Sequence, residues 1–325
     1  MMGSPLMRIP AELRLMIYAY LFYAGDTEAH THQGYYPESD GENKPKRERQ
    51  RIISIRNGRE DISSRPGSFA TGVCGQCGQC MPPPPARKSP PRDGRPQTRS
   101  RYQVVGGSLA RRYFETTYHL ANEGAEFCTA LMSVNRKIYA ETSHLVYANH
   151  VFDFGANIEA VSPFFSDLTD GTRALVKRIS LYKRGPWLFH GWSDRNEWQA
   201  MCTYLSNYAS VEHLRLVIQA GRLPEARKRE WEQWRSEGIA PRQLSSKDVA
   251  LLVGIRHGML DWVEDLFPMK SLRDLEVLPD FCIMPLPQTS DMVVYMALSA
   301  SVDKGFREFL RDRFGLSCCT ANTKA

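Results

Sequence analysis

Three eight-residue stretches in the C-terminal half, LVKRISLY (175–182), SVEHLRLV (210–217) and SLRDLEVL (271–278), align without a gap and carry apolar side chains at the same three positions. These are Val176, Ile179 and Leu181; Val211, Leu214 and Leu216; and Leu272, Leu275 and Val277. The last two apolar positions of each copy lie two residues apart, the period of a strand that buries one face. Trp198, Met201, Cys202, Leu205 and Tyr208 recur at helical spacing before the second copy, and Val249, Leu252, Val253, Leu260, Val263 and Phe267 do so before the third. Ser245 and Asp248 are spaced for a capping box at the front of that later helix. Strands alternating with helices close through right-handed crossovers, so the pattern predicts a parallel sheet.

The layer resembles an irregular leucine-rich repeat. Its copies are separated by 35 and 61 residues instead of the roughly 20 to 29 of regular repeats, which implies a short, curved α/β layer and not a full horseshoe. The longer gap contains LPEARKREWEQWRSEG, a charged helix candidate in which Trp231 and Trp234 share one side. That pair either anchors a partner or seals the helix onto its own domain. In the tail VDKGFREFLRDRFG, Phe306, Phe309, Leu310 and Phe314 predict a closing helix.

At the other end of the chain, IPAELRLMIYAYLF (9–22) places Leu13, Met16, Ile17, Tyr20 and Leu21 on one helical face, with Pro10 suited to the first turn and Glu12 to the positive helix end. A lone helix this short is marginal in water, so it must dock. The natural wall is LMSVNRKIYAETSHLVYANHVFDF, where Leu131, Val134, Ile138 and Leu145 read as a helix and Val151, Phe152 and Phe154 as a strand. The simplest packing buries the apolar face of the first helix against residues 131–147.

Both segments resemble the two halves of an F-box as found in F-box-like proteins of filamentous fungi. Pro10, Glu12, Leu13, Arg14, Ile17 and Tyr18 match the first half; Val134, Arg136, Ile138, Glu141, Tyr147, Asn149, Phe152 and Phe154 match the second. Ile9 and Asn135 depart from it, as does the insertion of roughly a hundred residues between the halves. The resemblance implies a binding module whose Pro10, Leu13, Ile17 and Leu21 dock on the small adaptor subunit of a cullin-type ubiquitin ligase while the C-terminal half selects a protein target. An F-box-like fold with no ligase role is the alternative within the same family.

The insertion concentrates the charge. Between Lys44 and Arg101 there are 14 Lys or Arg against four acids, in a chain whose net charge is +6. With MPPPPARKSPPR and GVCGQCGQC in the same stretch and no sustained apolar period, residues 25–112 read as disordered. Lys44, Lys46, Arg47, Arg49 and Arg51 form a basic patch that nuclear import receptors or nucleic acid could read. Pro82, Pro85 and Arg87 fit a polyproline-domain ligand, and Ser89-Pro90 fits a phosphate acceptor. Cys74, Cys77 and Cys80 have chelate spacing, but the only completing ligands (His30, His32 or Cys128) are remote, so the expectation is free thiols and no metal or cofactor.

Signatures of enzyme chemistry are thin. G-x-G-x-x-G, G-x-x-x-x-G-K-[ST], G-x-S-x-G and H-E-x-x-H do not occur, and the eight histidines are scattered. No run approaches the roughly 18 apolar residues of a membrane span, and Glu12 and Arg14 interrupt any signal-peptide core. Cys318 and Cys319 read as tail thiols. The sequence therefore predicts an α+β to α/β, non-enzymatic, cytoplasmic or nuclear interaction protein. Its parts are a first F-box-like helix (1–24), a disordered basic insertion (25–112), a second F-box-like half and strand (113–155) and a repeat-like target-binding domain (156–325). A nuclear or nucleic-acid-associated protein acting through 44–101 is the alternative reading.

Overall fold

Ile179, Leu214 and Leu275 lie side by side on three adjacent parallel strands, and so do Leu181, Leu216 and Val277. The gapless alignment of the three sequence copies is thus the register of the sheet itself. All six side chains are buried, as are Val176, Val211 and Leu272 at the strand entrances.

The computed structural model describes residues 5–23, 52–57, 99–105, 113–121, 132, 135–185, 194–223, 232–233, 236–237 and 243–316. Their strands are β1 (Ile52–Asn57), β2 (Arg101–Val105), β3 (Tyr113–Ala121), β4 (Val151–Asp153), β5 (Arg178–Lys183), β6 (His213–Arg222) and β7 (Asp274–Ile283). They form one sheet of order β2-β3-β1-β4-β5-β6-β7, parallel from β1 through β7, with β3 antiparallel to both β1 and β2.

The helices are α1 (Ala11–Tyr23), α2 (Arg136–Asn149), α3 (Val161–Ser166), α4 (Asp170–Leu175), α5 (Arg195–Tyr208), α6 (Ser246–Gly254), α7 (Ser290–Ser299) and α8 (Arg307–Arg313). Asn135 caps α2 by accepting from the Ile138 amide at 2.9 Å. The Ser245–Asp248 capping box opens α6 as its spacing predicts. The α5 face buries Trp198, Met201, Cys202 and Leu205, but Tyr208, the last residue of the helix, is exposed. The second predicted connecting helix ends at Gly254. Arg256 turns through φ +54° and Asp261–Leu266 continues as a 3-10 turn, which aims Trp262 and Val263 inward.

The core is continuous from Tyr18 to Leu310. Phe152, Phe154, Phe164 and Phe165 interlock with centroids 5.2–6.3 Å apart at one end, and Trp198 meets Trp262 edge-on at 5.3 Å further along. Phe306, Phe309 and Leu310 close it from the tail, where Val302–Phe306 forms a π turn ahead of α8.

The expectation of disorder over 25–112 is corrected at two places. IISIRN within it is β1, inserted between β3 and β4, and RYQVV is β2. Ile53, Ile55 and Asn57 alternate inward. That short period of two is hard to see among arginines and acquires its burial from strands distant in sequence. Residues 113–121, assigned by sequence to the second F-box-like half, form β3.

Candidate partner-binding surface

α1 begins one residue after Pro10, whose carbonyl accepts from the Arg14 amide at 3.1 Å. Three residues decide how it lies. Arg14 donates to both carboxylate oxygens of Glu141 on α2, at 2.5 and 3.1 Å, and to the Ile9 carbonyl at 2.6 Å. The Tyr18 hydroxyl donates to Glu141 at 3.2 Å. Arg14 and Tyr18 are one helical turn apart, which puts both on the side facing α2, where they are 4% and 0% exposed.

The two-pronged contact shifts all three groups. The Arg14 hydrogen bond holds the Glu141 carboxyl below the ordinary glutamate value. The same bond raises Arg14, and burial foremost raises the Tyr18 phenol. A charge-assisted bidentate pair of this kind fixes orientation as well as proximity.

This arrangement overturns the expected packing of α1. The apolar stripe does not face α2. Leu13, Met16 and Ile17 are 50%, 67% and 37% exposed, and Pro10 is exposed with them. At 3.6 residues per turn the stripe is rotated about a third of a turn from the Arg14–Tyr18 side. Tyr18 supplies the buried ring while its hydroxyl and Arg14 satisfy Glu141. Leu21 belongs to α1, but its side chain lies outside the described residues, as do Trp231, Trp234, the basic patch Lys44, Lys46, Arg47, Arg49 and Arg51, and the cysteines Cys74, Cys77 and Cys80. Among the described residues no group of three His, Cys, Asp or Glu is placed to hold a metal ion, and no helix is long and apolar enough to cross a membrane.

A second surface was not singled out from sequence. The strand positions between the buried ones carry Arg178, Ser180 and Tyr182 on β5, His213, Arg215, Val217 and Gln219 on β6, and Asp274, Glu276, Leu278 and Asp280 on β7. Polar rungs cross them: His213 to Asp274 at 3.5 Å, Arg215 to Glu276 at 3.6 Å, and the Tyr182 hydroxyl donating to Asp280 at 2.8 Å. Apart from Ser180, these side chains are half-exposed or exposed. The signal was available, since each sequence copy interleaves polar residues with its apolar ones.

On the buried side, Lys183 at the end of β5 pairs with Asp194 at the start of α5, its Nζ lying 5.4 and 5.6 Å from the Trp198 and Trp262 ring centroids. Burial pushes the Lys183 ammonium below its ordinary value, and Asp194 opposes that shift. The pair ties together the two ends of the β5–α5 connection.

Comparison with protein-family models, with curated proteins and with solved structures found no match.

Proposed function

We propose that the chain is a non-enzymatic F-box-like interaction protein that docks on the adaptor subunit of a cullin-type ubiquitin ligase through α1. The observation that carries this reading is the outward stripe of Leu13, Met16 and Ile17 on a helix fixed from its other side by Arg14, Tyr18 and Glu141. A rigid helix with an unspent apolar stripe is what helix-in-groove recognition uses. The anchoring residues Arg14, Tyr18 and Glu141 are all positions that carry the F-box resemblance, which supports treating α1 and α2 as its two halves. The β5–β7 layer, buried on one side and polar on the other, supports an irregular leucine-rich-repeat-like target-binding half.

The test is direct binding of purified adaptor to the intact chain and to a Leu13→Asp, Ile17→Asp double variant. Both substitutions fall on exposed positions, so the variant keeps its fold and loses the adaptor. A folded intact chain that binds no adaptor refutes the reading.

A further inference from the structure

β7 ends the sheet, and its backbone groups divide by parity. At the two ends of the β6–β7 ladder the amides of Asp274 and of Met284, just past β7, donate to the carbonyls of Glu212, just before β6, and of Arg222, each at 2.9 Å. In the intervening parallel ladder the even residues of β7 therefore face β6, and the odd ones, Leu275, Val277, Pro279, Phe281 and Ile283, turn their N–H and C=O groups outward. The first part of this edge is guarded. Arg311 donates to the Leu275 carbonyl at 3.3 Å, and Pro279 has no N–H to offer. The last part is open: among the described residues nothing pairs with the outward backbone groups of Phe281 and Ile283, whose side chains are 54% and 80% exposed.

We propose that the Phe281–Ile283 edge of β7 receives an extended peptide of a partner protein, added as an eighth strand. The chemistry of that peptide follows from the two faces of β7. On the polar face the charged side chains of the edge strand are all acids, Asp274, Glu276 and Asp280; Asp274 and Asp280 stay exposed even with their contacts to β5, β6 and α8 made. The other face ends in Phe281 and Ile283. A strand laid alongside, about 4.8 Å away, sets its own alternating side chains against these. The fitting ligand alternates basic with apolar residues. The main chain supplies affinity and the alternation supplies selectivity. This surface is separate from α1 and does not depend on the adaptor reading.

The experiment uses the full chain and a fluorescein-labelled peptide alternating valine with lysine, with a valine–glutamate peptide as control. Anisotropy reads binding, and amide hydrogen exchange reads its location. The valine–lysine peptide binds, slows exchange at Phe281 and Ile283, and weakens as salt rises; the glutamate peptide does not bind. Ile283→Pro removes an outward N–H that β6 never uses, so the chain folds and binding falls at least tenfold. Asp280→Lys, a surface change that leaves the ladder intact, also weakens binding at least tenfold. Equal binding by Ile283→Pro and the parent, or absence of binding by the parent, overturns the proposal. So does a concentration-dependent dimer that Ile283→Pro dissolves, which would assign the edge to a second copy.

Discussion

Arg14 grips both carboxylate oxygens of Glu141, a residue 127 positions further along the chain. Through that contact and the Tyr18 hydroxyl, α1 is held to α2 by its polar side, leaving its aliphatic side outward.

Removing the guanidinium should release the helix without unfolding the sheet. Arg14→Ala is expected to raise hydrogen exchange and protease cleavage within 11–23 while exchange across β5–β7 stays unchanged. Arg14→Lys restores little, because an ammonium cannot span both oxygens. In a double-mutant cycle, Arg14→Ala and Glu141→Ala should be strongly non-additive.

Acid should act at the same place. Since Arg14 holds the Glu141 carboxyl below the ordinary 4.5, its contribution is complete above that pH and is lost as pH falls through the lower folded value. Exchange-monitored release of α1 as pH falls below 4.5 should vanish in Glu141→Gln, which has no proton to take up.

The two sides of α1 should answer oppositely to substitution. Leu13→Asp and Ile17→Asp fall at exposed positions and should shift unfolding by no more than about 0.5 kcal/mol. Tyr18→Ala empties a fully buried site and should lose about 3 kcal/mol. Denaturant titration of the three variants checks this ordering, and a large loss in the stripe variants would place the stripe in the core.

Lys183 and Asp194 should be costly to separate and inexpensive to replace together. Lys183→Ala takes the ammonium from between Trp198 and Trp262 and leaves the buried Asp194 carboxylate without it, and should destabilise by about 3 to 5 kcal/mol. The double change Lys183→Met, Asp194→Leu should recover most of that loss by thermal unfolding, since apolar groups of similar size need no partner.

Gly305 tests the closure of the fold. A Cβ there would run into the Leu244 carbonyl and the Ser245 backbone at the front of α6. Gly305→Ala should therefore cost about 1 to 3 kcal/mol, and a calorimetric melting temperature unchanged from the parent would mean that this contact yields freely.

The parallel layer was legible because its information is local. Ile179 and Leu181, with their counterparts in the two later copies, repeat at one offset, and that offset became the register. The existence of α1 was legible for the same reason, but not its orientation. Periodicity sees Leu13, Met16 and Ile17 and is blind to an ion pair with a residue more than a hundred positions away. β1 escaped notice because IISIRN is six residues set in a basic stretch, and its partners, Ala121 to Tyr118 on β3 and Val151 to Asp153 on β4, are all remote. The polar face of β5–β7 was legible in the same alternation, but the open end of β7 depends on which strand lies at the border. That follows from strand order and cannot be read from any one strand.

The place of β1 bears on the order in which the chain assembles. Pairing Ile52 with Val151 closes a loop of about a hundred residues, an entropic demand that contacts within β4–β7 meet over shorter spans. Glu141 lies 127 positions after Arg14, so during synthesis α1 has no anchor until α2 is made. Removing the basic insertion as a spacer would delete β1 from inside the sheet and β2 from its edge. Neither Ile52–Asn57 nor Arg101–Val105 can be spared from that sheet.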